Sequence, residues 1–442
     1  MRCYALWMAF VGTSVGITSP QTFADFFEDS QTQLKLKNFY LDRQYDGASN
    51  RNWGSWSQAV TLDAKSGYAA VGDTGIQVGV DLLAQYAVRL DGRDRNQDYV
   101  LPYDSIEHKQ YRQFGKVGAT LKAKYSQTEL RVGEILPVTP VLVYDPSRQL
   151  LTTYNGVWLE SKDIKNTKLT LGYLNSINAR YENQPMDFGL WPYPLEHDGK
   201  VKGMSIAGID YQLNKNWAAS YFYANVDNIY QQNYFAVNNK TTLGTKAKLD
   251  SHVRVFDNRD SGDAIRGKID NQALSLGTTL TYGPHSFGLS YQQMFGNQGE
   301  LKNPNSIPKD IPVAPYFPSL AGWVPQPYLD NWSVVSFIRK DEKSVGLTYS
   351  YDFKDVGLNG LTATVKYWTG WGIDNNYESA GTLKGHGKER EANVIVNYVV
   401  PEGKFKGLGV QWMYIDVNWH NVYGQLNDLK ENRIATTYTY KF

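Results

Sequence analysis

Basic residues recur along this chain at positions where an extended strand would turn them to one face. Lys35 and Lys37, for example, alternate with Leu34 and Leu36, and alternate residues of a strand face opposite sides. Ammonium and guanidinium groups gathered on one wall would attract carboxylates and other anions. The candidates are Lys35, Lys37, Arg43, Lys122, Lys124, Lys366 and Arg433, with Arg148 added from a proline-containing connection. For each residue taken singly, the alternative is a cation that only keeps its face solvated.

The strands that would carry these residues are recognised by a period of two. From 76 to 90 every second residue is apolar, with Asp81, Gln85 and Arg89 on the other face. This run is far longer than the roughly 5–6 residues of a soluble strand, whereas about 9–11 tilted residues cross a bilayer. The same alternation recurs in 117–125, 274–282, 287–291, 345–353, 361–367, 392–400 and 408–414. The pattern predicts membrane-spanning strands with one apolar and one polar face.

These strands are expected to close into a barrel, because an open edge in hydrocarbon would leave N–H and C=O groups unpaired. Short connections alternate with long ones, as is typical of outer-membrane barrels. The short ones include 126–128, 214–216 and 283–284, and the long ones are 43–56, 91–114, 183–202 and 296–340. Counting the segments gives about 16–18 strands, which enclose a water-filled lumen. We therefore expect an all-β, transmembrane antiparallel β-barrel that conducts solutes.

The two ends of the chain indicate export. Arg2, the apolar run 3–17 and the triplet Thr22-Phe23-Ala24 have the form of a secretory signal. We therefore expect a signal peptide at 1–24 and a single barrel domain at 25–442. The last strand alternates aromatic residues and ends on Phe442, a terminus that we expect the barrel-assembly machinery to recognise. The predicted location is the outer membrane of a Gram-negative bacterium, in contact with lipid and lipopolysaccharide.

Composition and motifs argue against several other classes of protein. No later segment approaches the roughly 18 consecutive apolar residues of a membrane helix. The 45 Lys and Arg residues balance 44 Asp and Glu residues, without the basic excess that nucleic-acid binding needs. The single cysteine, Cys3, lies in the predicted signal. We found no metal-ligand spacing among the six histidines and no hydrolase or phosphate-loop motif. The stretch Asp91 to Asp98 resembles a calcium loop without its twelfth ligand and is interpreted as solvated, so no cofactor is expected.

Two connections have the composition of loops that narrow a pore. The segment 137–154 is too apolar for a free surface loop, and 296–340 combines many prolines with aromatic rings. Long loops without secondary structure are usually functional or disordered, and the rings favour packing inside the barrel mouth. The constriction candidates are Tyr316, Phe317, Trp323 and Tyr328. The alternative is an exposed loop that contacts lipopolysaccharide or a neighbouring protein.

Several short motifs occur in a recognisable order. They are Phe26-Phe27-Glu28-Asp29-Ser30, Lys37-Asn38-Phe39-Tyr40, Gly79-Val80-Asp81, Gly133-Glu134, Asp227-Asn228-Ile229-Tyr230-Gln231-Gln232-Asn233-Tyr234 and Gly360-Leu361-Thr362. In these motifs the chain resembles the OprD family of substrate-specific outer-membrane porins. The resemblance implies an 18-stranded, usually monomeric barrel with short periplasmic turns, constricted by its third and seventh extracellular loops. It also implies a ladder of basic residues that guides a carboxylate past an electronegative or apolar patch. Arg43, Arg148, Lys366 and Arg433 fall where that ladder would run, and Lys37 matches a basic position on the first strand.

One departure from the family pattern bears on the solute. The family's best-known member has two arginines on its penultimate strand, where this chain has Gln411 and Met413. The acidic constriction residue of the seventh loop has no clear counterpart either. Aromatic or small aliphatic carboxylates are therefore favoured over basic amino acids. We expect passive uptake of small carboxylic acids, amino acids among the candidates, without binding of nucleic acid. The alternatives are a weakly selective diffusion porin, a barrel enzyme such as a lipase or protease, and a structural or adhesive barrel.

Overall fold

The protein forms one closed sheet of eighteen long antiparallel strands. The structure is a computed structural model that describes residues 26–93, 96–104, 106–191, 199–296, 317–322, 324–375, 383–422, 424–425 and 427–442. The first nine strands are β1 (Gln31–Tyr45), β2 (Trp53–Lys65), β3 (Ile76–Gly92), β4 (Gln113–Tyr125), β5 (Thr128–Ile135), β6 (Thr153–Ser161), β7 (Thr167–Asn178), β8 (Met204–Gln212) and β9 (Trp217–Val226). The others are β10 (Tyr230–Leu243), β11 (Ala247–Asp260), β12 (Asp270–Tyr282), β13 (His285–Gly296), β14 (Lys343–Asp352), β15 (Leu361–Asp374), β16 (His386–Val399), β17 (Gly409–His420) and β18 (Leu429–Lys441).

Closure of the barrel is made by the first and last strands. Each strand pairs with the next one along the chain, and β18 pairs with β1 from Gln33 opposite Lys441 to Tyr45 opposite Leu429. Every strand therefore has two hydrogen-bonded neighbours, and no long strand presents an edge to lipid. The upper end of the predicted range, eighteen strands, is confirmed. Within the described ranges no helix is long and apolar enough to cross a bilayer.

The two faces of the strands follow the predicted period of two. On β3, Ile76, Tyr86 and Leu90 are exposed on the outer surface, while Gln85 and Ala87 are buried on the inner one. On β18, Ile434 and Tyr440 lie on the outer face, and Phe442 directly after the strand is 73% exposed. The alternation thus separates a lipid-facing surface from the wall of the lumen, as predicted.

Short and long connections lie at opposite ends of the barrel. At the short-turn end, 162–166 joins β6 to β7, and Asp163 accepts hydrogen bonds there from Ser126 Oγ (2.6 Å) and the Gln127 amide (3.0 Å). These bonds lower the pKa of the Asp163 carboxyl to about 2. At the other end, the predicted long connection 43–56 is wrong, because β1 and β2 extend to leave only 46–52 between them.

Three long connections fold into the barrel. We call 136–152 loop L3, 179–203 loop L4 and 297–342 loop L7. Apolar residues of all three pack against the inner faces of β5 to β13 in one buried cluster. Phe317 of L7 lies with its ring 5.3 Å from that of Phe256, and Phe188 of L4 stacks at 6.1 Å on Tyr154. This packing fills much of one side of the barrel and leaves the charged wall of β1 and β18 on the other.

Candidate functional site

The seam between β1 and β18 brings two arginines onto one carboxylate. In the register of these strands Arg43 lies opposite Glu431, and Arg433 lies opposite Leu41. Arg43 Nε is 2.5 Å from one oxygen of the Glu431 carboxylate, and Arg433 Nε donates to the other oxygen. The Glu431 side chain is fully buried between them. A buried carboxylate with two cationic partners is satisfied, and one positive charge remains in excess.

Loop L3 adds a third arginine to this seam. The Lys37 ammonium donates to the Pro146 carbonyl oxygen (3.1 Å) and to that of Arg148, and Gln149 Nε2 donates back to the Lys37 carbonyl (2.9 Å). Burial and the nearby Arg433 cation lower the pKa of the Arg148 guanidinium to about 9, so the group stays protonated at neutral pH. We call Lys37, Arg43, Arg148, Arg433 and Glu431 the arginine cluster.

The arginine cluster carries more positive than negative charge in a poorly solvated place. Three arginines, Arg43, Arg148 and Arg433, act on the Glu431 carboxylate, and Lys37 contacts the L3 backbone beside them. Arg43 also lies 4.2 Å from the ring of Trp53, and Arg433 keeps only 16% of its side chain exposed. Arg148 donates to the carbonyl of its own neighbour, Ser147, at 3.3 Å, and its Nε has no acceptor among the described residues. The Arg148 guanidinium is therefore incompletely saturated by the described residues, and the excess positive charge of the cluster favours an anion nearby.

Two other predicted cations face the lumen but are neutralised by acids. Lys35 Nζ lies 2.8 Å from Asp63, and Lys122 Nζ lies 2.6 Å from Asp81 while also donating to the Ser66 carbonyl at 2.8 Å. Both lysines are on the predicted inner face. Their charges cancel locally, so neither contributes a free cation to the wall.

Lys124 and Lys366 lie on the inner wall away from the arginine cluster. Lys124 Nζ is 5.8 Å from the ring centre of Tyr68, and Lys366 Nζ is 5.6 Å from that of Trp368. Lys366 belongs to the same cross-strand row as Glu431, three strands away. At about 4.8 Å per strand this is a separation of roughly 14 Å. The predicted set thus divides into the cluster, two neutralised lysines and two outlying lysines.

Loop L7 is fixed to the opposite wall by charged and polar contacts. Asp330 accepts hydrogen bonds from Ser275 Oγ (2.6 Å) and contacts His252 Nε2 at 2.7 Å. Farther along, the Val335 amide donates to the Glu391 carboxylate (2.7 Å). Gly370 leaves space beneath the L7 carboxylate of Glu342, whose Oε1 lies 2.1 Å from the position a Cβ would take. The loop is therefore held along β11 to β16.

The predicted meeting of the two loops is present. Gln326 Nε2 of L7 donates to the Pro140 carbonyl of L3 at 2.9 Å. Of the four constriction candidates, Phe317 is buried in the wall and Tyr328 is partly exposed beside Arg254, 5.3 Å from its guanidinium. The other two, Tyr316 and Trp323, lie outside the described residues. Phe317 is thus a packing residue of L7, and Tyr328 packs on the same cluster with part of its surface exposed.

Several charged residues near the cluster were not predicted. Glu431 lies two residues before Arg433 and therefore on the same inner face of β18. The period of two could have identified it. Arg180 of L4 pairs with Asp145 of L3 and donates from Nε to the Tyr99 carbonyl (3.1 Å). No sequence pattern indicated that contact. The interpretation of the stretch Asp91 to Asp98 as solvated is wrong at Asp98, which is buried and accepts a hydrogen bond from Ser55.

The described residues provide no hydrolytic centre at L7. His252 and Ser275 both bond the same Asp330 oxygen, whereas a nucleophilic serine must bond its histidine base. Nor do the described ranges contain a group of three His, Cys, Asp or Glu side chains arranged to hold a metal ion.

Comparison with known proteins agrees with this architecture. Residues 24–442 match the family described as outer membrane porin, OprD family. The chain belongs to the OprD family. It is 28% identical to the porin-like protein GalP of Pseudomonas putida, over 99% of both chains. Among solved structures, Acinetobacter baumannii OccAB4 is 31% identical with a TM-score of 0.82, covering 93% of this chain and 98% of that one. Pseudomonas aeruginosa OpdK, solved with vanillate, is 25% identical with a TM-score of 0.82, covering 94% and 100%.

Family membership fixes the setting of the barrel. This OprD-family porin is a β-barrel channel of the outer membrane through which small solutes pass. The fold and family are those of channels rather than enzymes. The signal peptide at 1–24, the monomeric state and recognition of Phe442 by the assembly machinery stay predictions.

Proposed function

We propose that this porin takes up small carboxylic acids passively, and that the arginine cluster is the part of its lumen that selects them. The observation that carries the proposal is the convergence of Arg43, Arg148 and Arg433 on one buried acid, with Lys37 alongside. A wall with excess positive charge in a low-dielectric annulus concentrates anions and disfavours cations. No energy coupling is required, since the solute moves down its gradient.

The geometry of Arg148 supports a carboxylate as the favoured anion. Its guanidinium is a planar fork that can donate two parallel hydrogen bonds to a carboxylate. Its one hydrogen bond is to the Ser147 carbonyl at 3.3 Å, and its buried Nε has no acceptor among the described residues, so the protein leaves this guanidinium incompletely saturated. The structure of OpdK with vanillate, an aromatic carboxylate, supports the same solute class by relationship.

Two features favour aromatic or aliphatic acids over basic amino acids. Gln411 and Met413 occupy inner-face positions of β17, so this strand adds no cations beside Arg433. The L7 carboxylate of Asp330 is already bonded to His252 and Ser275. It is therefore poorly placed to pair with the second positive charge of a basic amino acid.

Solute uptake into proteoliposomes tests the proposal. We expect benzoate and succinate to enter faster than arginine or a neutral sugar of similar size. Arg148→Gln should slow entry of the carboxylates about tenfold, as expected for loss of a charge-assisted hydrogen bond, and leave the sugar unchanged. The control is Lys246→Gln, an exposed lysine of the turn between β10 and β11. Equal entry of all solutes, unaffected by Arg148→Gln, would instead identify a weakly selective diffusion porin.

A further inference from the structure

A second group of charges lies halfway around the barrel from the arginine cluster. A chamber of about 920 Å³ opens there at the short-turn end, beside β7 to β11. This volume is within the range of small-molecule pockets. The ionisable inner-face residues among those that line it are Lys168, Asp210, Lys240, Asp250, His252 and Arg254.

Basic side chains outnumber acidic ones in this chamber. Five cations, Lys162, Lys168, Lys215, Lys240 and Arg254, line it together with two acids, Asp210 and Asp250. Lys168 is paired with Glu160 at 2.8 Å, and Arg254 lies 3.5 Å from Asp330, which leaves three other cations facing two carboxylates. A concave surface with a net positive charge raises the local concentration of anions. The chamber therefore attracts anions.

Arg254 is the lining residue of β11 farthest from the short turn, and its donors are incompletely used. Its side chain is 16% exposed. One terminal nitrogen is 3.3 Å from the Tyr328 carbonyl and 3.5 Å from Asp330 Oδ1, both long for charge-assisted bonds. Its buried Nε has no acceptor in the described part of the chain. A guanidinium offers five N–H donors, and the described contacts of Arg254 use only one of its two terminal nitrogens.

Asp330 is shared between Arg254 and two residues that anchor L7. The Asp330 Oδ2 atom already receives the Ser275 hydroxyl at 2.6 Å and lies 2.7 Å from His252 Nε2. Its second oxygen makes only the long contact to Arg254. Asp330 thus offsets charge of Arg254 through one terminal nitrogen at long distance, and the other terminal nitrogen of Arg254 is left to donate to an anion in the chamber.

We propose that this chamber is an exit-side binding site for small carboxylates, anchored by Arg254 with Lys240 as a second cation nearer the turn. The inference rests on the proposed function for the class of solute. A carboxylate can place its two oxygens against two guanidinium N–H groups. Conduction requires binding strong enough for entry and weak or divided enough for release. Two cationic sites on opposite walls meet that requirement, because a solute leaving the arginine cluster has a second site to enter.

Block of chloride current through single channels in planar bilayers tests this site. The full barrel is reconstituted, and the half-blocking concentration of benzoate is measured from each side of the same channel. We expect Arg254→Gln and Lys240→Gln to raise that concentration about tenfold from one side only. Arg148→Gln should act chiefly on block from the other side. Lys246→Gln, on an exposed turn residue outside the chamber lining, is the matched control.

The outcomes separate this inference from the proposed function. One outcome rejects the chamber site and keeps the arginine cluster. In it, benzoate blocks the Arg254→Gln and Lys240→Gln channels as it blocks the unaltered channel, while Arg148→Gln weakens the block from both sides. If none of the three substitutions changes the block, both proposals are overturned. Lys240 is exposed, so its substitution tests the site even if Arg254→Gln impairs folding, which heat-dependent gel mobility would reveal.

Discussion

Two substitutions of opposite sign at the seam give the most direct test of the arginine cluster. Arg433→Gln removes one of four cations and Glu431→Gln removes the single acid. An ion passing roughly 7 Å away, at an effective dielectric constant of about 40, interacts with one charge by about 1 kcal/mol. This energy corresponds to about a fivefold change in local ion concentration. Because one charge changes the local anion and cation concentrations in opposite directions, the ratio of anion to cation permeability should fall about 25-fold in Arg433→Gln and rise by a similar factor in Glu431→Gln.

Reversal potentials in planar bilayers with a KCl gradient measure this ratio. The effect should be clear at about 0.1 M salt, where the Debye length is about 10 Å, and shrink at 1 M, where it is about 3 Å. Lys246→Gln serves as the control for loss of a fully solvated charge. A shift of both seam variants in the same direction, or no shift in either, would refute the electrostatic role of the cluster.

Three further predictions concern the rest of the barrel. The double substitution Lys122→Gln with Asp81→Asn should leave the permeability ratio unchanged, because it removes two charges that cancel. Gly370→Ala should loosen the anchor of L7 at a cost of about 1–3 kcal/mol, since its Cβ would meet Glu342 Oε1 at 2.1 Å. Faster proteolysis of L7 and greater current noise measure that loosening. Asp163→Asn should destabilise the barrel at neutral pH but not near pH 2, as measured by chemical unfolding. The folded pKa of Asp163 is lowered to about 2, so its stabilisation is present above the ordinary value near 3.8 and is lost as pH falls towards 2.

Each of these predictions has an outcome that contradicts it. A fall in anion preference in the Lys122 and Asp81 double variant would mean that Lys122 acts on passing anions although it is paired with Asp81. Gly288→Ala is the control for Gly370→Ala, because its nearest contact would be 3.2 Å from Thr348, and equal loosening in both would refute the clash. An Asp163→Asn defect that persists at pH 2 would mean that the carboxylate charge is not its cause.

The sequence predicted the barrel well because its signal is local. Each strand alternates apolar and polar residues with a period of two. This alternation alone assigned Lys37 and Arg433 to the inner face, with no information on the adjacent strands. The closed arrangement follows from the need to pair every backbone group in lipid. The period of two does not predict which side chain lies opposite another on the next strand. That depends on the register between strands, which is set by their whole length and by their turns.

The electrostatics of the site were less predictable for that reason. Lys35 and Lys122 were expected among free cations, yet Asp63 and Asp81 on adjacent strands neutralise them. The contact of Arg180 depends on how L4 packs against L3, and loop packing leaves no period in a sequence. The alternation therefore predicted reliably which residues face the lumen, but it did not predict the net charge of the lumen wall.

The position of the arginine cluster at the seam has a consequence for biogenesis. Arg43 and Glu431 are separated by 388 residues and meet only when the last strand docks on the first. A growing or partly assembled chain therefore has two open strand edges and no completed charge site. Pairing of the last strand with the first therefore closes the barrel and completes the arginine cluster in one step. An unfinished assembly intermediate that leaked solutes would do so without discrimination.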